Sequence, residues 1–172
     1  MHSLPEGIEL LARLLGDVVA DYEDEHERWR LYEKALDDTP SVMKALEAAI
    51  LQEEDENVAL SVVLRVLERV PRSERTAWIN RLSGSRSREY ARARATDMAT
   101  LEDLVRKEYV LPAGEGDSCS SVEDWSDWLQ LRLAQKSFST DLLKCLATAG
   151  RTKRIRRSAS ERLTTLGRVR SA

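Results

Sequence analysis

Apolar side chains recur early in the chain at Ile8, Leu11, Leu15, Val18, Tyr22, Trp29, Tyr32 and Leu36, the three-and-four spacing at which one face of an α-helix returns. With Pro5 just ahead of it, this pattern predicts a long amphipathic first helix over about 6–36, or two helices with a break near Asp21. "DDTPS" then reads as a turn, with Ser41 as N-cap of a helix running to Gln52. The valines of "VALSVVLRVLERV" would suit a strand, yet Val58, Val62 and Val66 do not alternate with polar residues. A helix buried on most sides, ended by Pro71, fits better.

Beyond Pro71 the pattern continues in short pieces. "RSERTAWINRL" predicts a short helix bounded by "SGSRS", and Ser87 can cap the next, whose buried face is marked by Tyr90, Met98, Leu101, Leu104 and Val105. The longest irregular stretch, residues 110–121, predicts a mobile loop. "SVEDW" has the order of a capping box, Ser121 three residues ahead of Asp124, before the helix "EDWSDWLQLRLAQ". "TDLLKCLATAG" and "RTKRIRRSASERLTTLG" close the chain. The sum is an all-α fold of about eight helices, arranged as an irregular stack of helical hairpins or as a helical bundle.

The last two segments form a leucine-patterned helix, a glycine turn and a second helix with small and apolar residues on one side. Leu142, Leu143, Leu146 and Ala147 would face Ile155, Ala159, Leu163 and Leu166. This pairing resembles a HEAT-type repeat, and "VMKALEAAILQEEDENVALSVVLRVLERV" follows the same logic through Val42, Leu46 and Ile50, then Val58, Val62 and Val66. The resemblance covers residues 142–166 and 42–70, and implies a HEAT-like solenoid with a wide face for a partner. The first helix, the unequal spacing of the two pairs and the loop depart from the regular period of roughly 40 residues that such arrays keep.

Composition narrows the class. A chain of 172 residues with 42% hydrophobic and 33% charged residues, 7 Gly and 4 Pro is long enough for one domain over residues 1–172 with a real core. No apolar run approaches the roughly 20 residues of a membrane span, and "MHSLPEGIELL" lacks the order of a signal peptide, so the expected location is cytoplasmic with no membrane partner. Cys119 and Cys145 have no CxxC neighbour; the expectation is two free thiols, one exposed and one in the core. The net charge of -3 conceals an asymmetry: residues 1–60 hold 16 Asp/Glu against 5 Lys/Arg, residues 61–172 hold 14 against 22. Each half can steer partners of opposite sign.

Candidate chemistry is sparse. Glu23 and His26 form one E-x-x-H, the spacing that puts a carboxylate and an imidazole on one helical face in di-iron bundles, but no second copy exists because the other histidine is His2. Asp21, Glu23, Asp24 and Glu25 form one acidic group and Glu53, Glu54, Asp55 and Glu56 another. Such acids ordinarily form a solvated face or complement a helix N-terminus. No phosphate loop, nucleophile elbow or Ser/His/acid set occurs, which argues against an enzyme and calls for no cofactor. Trp125 and Trp128, three apart, suit core packing more than an aromatic hot spot.

The second charged feature is the basic run Arg151, Lys153, Arg154, Arg156 and Arg157, followed by Arg162, Arg168 and Arg170. Cations in a helix's first turn oppose its dipole, a cost that an acidic ligand would offset. Three function classes follow. The first is a non-enzymatic protein-protein interaction or scaffold module, with a protein partner or a second copy bound through the first helix. The second is nucleic-acid binding by the C-terminal basic face, and the most distant is a metal-dependent helical hydrolase on the acids of the first helix.

Overall fold

The computed structural model describes residues 5–36, 39–106 and 119–170, and every regular element among them is helical. In chain order these are α1 (Glu6–Leu15), α2 (Glu25–Ala35), α3 (Pro40–Leu51), α4 (Glu56–Leu67), α5 (Arg75–Ile79), α6 (Ser85–Arg106), α7 (Ser120–Glu123), α8 (Asp127–Lys136), α9 (Thr140–Ala149) and α10 (Lys153–Arg170). The fold is all-α. The length predicts one domain over residues 1–172; the chain packs as two compact units, Met1–Ala95 and Thr96–Ala172, with the boundary inside α6.

The run over 6–36 is two helices. α1 ends at Gly16, whose φ of 62° is left-handed. There the Gly16 N–H reaches the Arg13 carbonyl and the Asp17 N–H the Ala12 carbonyl, the paired bonds of a Schellman stop. α2 restarts at Asp24, whose carboxylate accepts the His26 N–H. Val18, which keeps the helical spacing, falls in the connection and is 78% exposed. The hydrophobic period carries across a break that the glycine and the capping aspartate impose.

In the first unit α1 packs closely on α3, and α4 packs on α2 and α5. Ile8 and Leu11 of α1 are buried, as are Val42, Leu46 and Ile50 of α3, Leu31 and Tyr32 of α2, and Val62, Val66 and Leu67 of α4. The close approach is set at Gly7, where a Cβ would lie 2.7 Å from the Ala49 nitrogen. Its free N–H is taken by Gln52 Oε1 at 2.9 Å. Helix α3 starts at Thr39–Pro40, one turn position ahead of the predicted Ser41 cap, because Pro40 suits the first helical position.

In the second unit α10 packs on α9 and α8. Leu129, Leu133, Leu142, Leu143, Leu146, Ile155 and Ala159 form the core, with Trp125, Trp128, Ala147, Leu163 and Leu166 packed at its edge. The predicted faces of residues 142–166 are thus the buried ones. On the part of α6 in this unit Met98 is buried as expected and Val105 is 45% exposed; on the part in the first unit Tyr90 is 52% exposed and Ala91 is buried. The predicted box at Ser121 and Asp124 is not the start of a long helix. α7 ends at Glu123, and Ser126 caps α8 by accepting the Leu129 N–H at 3.1 Å while donating to Asp97 Oδ2 at 2.6 Å. Most of the loop predicted over 110–121 lies outside the described residues.

Candidate functional site

The acidic groups separate once their surroundings are known. Glu53 points inward, its side chain only 2% exposed, and accepts Arg28 Nε at 2.9 Å and the Tyr32 hydroxyl at 2.8 Å on Oε2. Its Oε1 accepts the Asp55 N–H. Arg28 continues the network through Nη1, which donates to the carbonyls of Tyr22 at 2.7 Å and Glu23 at 3.1 Å and so ties down the connection before α2. Burial alone would lower the Arg28 guanidinium's pKa, but the hydrogen bond and charge of Glu53 outweigh it and hold the pKa above its ordinary value. Burial, then the Glu53 carboxylate, push the Tyr32 phenol far above its usual range.

The remaining acids have other roles. Asp55 is the N-cap of α4, accepting the Asn57 and Val58 N–H groups, as the acids-at-a-helix-start reading predicts. Asp24 does the same for α2, and the His26 N–H it accepts lowers its carboxyl pKa. Asp21 accepts the Glu23 N–H, Glu56 accepts the Ser87 hydroxyl, and Glu54 is exposed. Glu23 and His26 do not converge on a metal-holding group: His26 is exposed, its ring beside Asp24, and no cluster of three or more His, Cys, Asp or Glu side chains suited to a metal occurs among the described residues.

Between the first turns of α2 and α4 lies an open pocket of about 280 Å³ lined by Glu25, His26, Trp29, Asn57, Val58 and Ser61. Trp29, half-buried, and Val58, buried, give it an apolar floor, and exposed polar side chains form its rim. The network of Arg28, Glu53 and Tyr32 lies between the same two helices and fixes their spacing. The sequence shows Trp29 only as one apolar position in a periodic run; its pairing with Val58 depends on α2 meeting α4.

The basic run divides as well. Arg151 donates from Nη2 to the carbonyls of Glu123 and Trp125, both at 2.8 Å, and pairs through Nη1 with Asp127 at 3.1 Å. Its N–H is taken by Gln130, which is fully buried and donates to the Val122 and Trp125 carbonyls. Arg156 donates to the Gly150 carbonyl, Arg157 pairs with Glu161, and Arg162 lies over the Phe138 ring. Lys153 and Arg154 are exposed and make no ion pair with a described residue. Arg151 and Arg156 hold the chain ahead of α10 to its neighbours, while Lys153, Arg154 and Arg157 stay at the surface.

Cys119 and Cys145 are not two free thiols: they form a disulfide, with Cα atoms 5.2 Å apart. The chain turns through α7 so that Cys119 meets α9, a proximity that a separation of 26 residues without a motif does not signal. No helix among the described residues is long and apolar enough to cross a membrane. Comparison with known proteins finds no matching family model, and no curated protein or solved structure of significant similarity.

Proposed function

We propose that this chain is a non-enzymatic protein-interaction module that docks a partner protein at the pocket between α2 and α4. The observation that carries this reading is the half-buried Trp29 side chain, which lines an open pocket together with Val58. A rigid aromatic at the centre of a desolvated spot is the common anchor of protein interfaces. The HEAT-like reading belongs with it for α9 and α10, whose inward faces pair as such a hairpin requires. It is weaker for α3 and α4, since α3 packs chiefly on α1 and α4 on α2 and α5.

A second copy is the other protein partner this reading admits, through Leu10 and Leu14 of α1, both exposed. The nucleic-acid alternative retains Lys153, Arg154, Arg157 and Arg168, and loses focus because Arg151 and Arg156 are engaged with backbone carbonyls of the fold. The hydrolase alternative has only the exposed His26 and its acidic neighbours to draw on. A cytoplasmic location belongs to this reading only with the disulfide reduced, because such bonds persist in oxidising surroundings.

The test is affinity capture from native lysate with and without nuclease, followed by calorimetry of the identified partner against wild type and Ser61→Arg. A nuclease-resistant protein partner whose direct binding weakens with Ser61→Arg supports the module. Retention that nuclease abolishes, or a partner indifferent to Ser61→Arg, removes it.

A further inference from the structure

We infer that the pocket between α2 and α4 accepts one large apolar side chain from a cationic segment of the partner, an inference that rests on the docking role proposed above. Its size is the first argument. About 280 Å³ lies at the lower edge of the roughly 300–1,000 Å³ typical of small-molecule sites, and suits a single leucine, methionine or aromatic side chain. The floor of Trp29 and Val58 offers such a group apolar contact, and its burial would favour docking before ordering costs.

The sign of the flanking charge is the second argument. Two helix N-termini meet at the pocket, and an uncapped pair would favour an anion. These are already answered: Asp24 takes the His26 N–H at the head of α2, and Asp55 takes the Asn57 and Val58 N–H groups at the head of α4. What remains facing solvent is anionic. Glu25 stands on the rim, with Asp24, Asp55 and Glu56 next to lining residues in sequence. Among the cations nearby, Arg28 is committed to Glu53 and two carbonyls, Arg30 to Asp17 and Glu27, and Arg65 sits one turn beyond Ser61 on α4.

The rim also has capacity left. The Glu25 carboxylate, the Asn57 amide and the Ser61 hydroxyl make no hydrogen bond or ion pair with a described residue. A segment laid across the opening can therefore give Lys or Arg donors to Glu25 and backbone groups to Asn57 and Ser61 without displacing an internal bond. The excess of 16 acids over 5 cations in residues 1–60 would steer such a segment in from a distance.

The experiment titrates full-length protein with three synthetic peptides: a Lys/Arg-rich peptide with one central leucine, its copy with alanine there, and a Glu-rich peptide with the same leucine. The readout is the Trp29 indole N–H resonance, assigned by its loss in Trp29→Phe. The expected result is that the cationic leucine peptide shifts this resonance and weakens as salt rises. The alanine copy against wild type, and the leucine peptide against the Glu25→Lys protein, should each bind roughly tenfold more weakly. A Glu-rich peptide that binds as well, an alanine copy that binds equally, or no peptide moving the indole would overturn the assignment of the occupant. In each of those cases docking at the pocket still stands if the captured partner remains sensitive to Ser61→Arg. If Ser61→Arg affects neither, the docking role fails too.

Discussion

Arg28 Nε and Glu53 Oε2 lie 2.9 Å apart with their side chains 10% and 2% exposed, joining α2 to the turn that precedes α4. Removing one partner of such a pair leaves the other charged and unpaired away from water. Glu53→Ala is expected to lower stability by about 3 kcal/mol in urea unfolding, and Glu54→Ala, one residue away and exposed, by less than about 0.5 kcal/mol. The double change Arg28→Met with Glu53→Met should recover only part of the loss, because Arg28 also holds the Tyr22 and Glu23 carbonyls. Equal midpoints for Glu53→Ala and Glu54→Ala would contradict the network.

Gly7 gives the second test. A Cβ there would meet the Ala49 nitrogen at 2.7 Å and the Ala48 carbonyl carbon at 2.8 Å, backbone on both counts, so α1 would have to move off α3. Gly7→Ala is expected to destabilise by about 2 kcal/mol despite alanine's better helix propensity. Gly167→Ala, with open space around it on α10, should instead stabilise by about 0.5 kcal/mol. Thermal melts of both variants check the contrast in sign.

Acid sensitivity has a named contributor in Asp17, which accepts from Lys34 Nζ at 2.5 Å and Arg30 Nη1 at 3.0 Å. The Lys34 hydrogen bond, then the Val18 N–H, lower its carboxyl pKa from 3.8 to about 2. Because the folded pKa is the lower one, the contribution to stability is complete above pH 3.8 and is lost as pH falls toward 2. Asp17→Asn should therefore flatten the fall in melting temperature across that window relative to wild type. Parallel curves would assign the acid response to other carboxylates.

The disulfide makes the fourth prediction. Closing a loop with a separation of 26 residues is worth about 3.5 kcal/mol in the chain-entropy account. Cys145→Ser, or reductant added to wild type, should lower the urea midpoint of the second unit, reported by Trp125 and Trp128. Protein purified without reductant should take up no alkylating agent unless first reduced. Two alkylated thiols before reduction would count against the bond.

Several features are local and can be read along the chain. The helices over 40–51, 56–67, 140–149 and 153–170 follow from apolar periodicity, and the inward positions of Leu142, Leu146, Ile155 and Ala159 follow from the same spacing. Asp55 as a cap belongs here too, since capping needs only a side chain and N–H groups two or three residues on. Cap choice failed where local rules compete. Ser121 and Ser126 both offer a hydroxyl in the sequence; Ser121 falls inside α7, whereas Ser126 stands in extended backbone ahead of α8 and donates to Asp97.

Other features required elements distant in sequence to meet. Glu53 looks like its neighbours in a run of four acids; its burial is decided by Arg28 and Tyr32 arriving on α2. Arg151, Arg156 and Arg157 look like one basic surface; Arg157 pairs with Glu161 one turn along α10 and Arg156 with the nearby Gly150 carbonyl, while the acceptors of Arg151 appear only when α7 and α8 meet the start of α10. The Cys119–Cys145 bond and the Trp29 pocket have the same origin. The sequence by itself determined the helices and their apolar faces, because propensity and periodicity act over a few residues. The tertiary structure decided which charges are buried, which cations are committed and where a pocket opens, because those depend on distances between helices that no local pattern encodes.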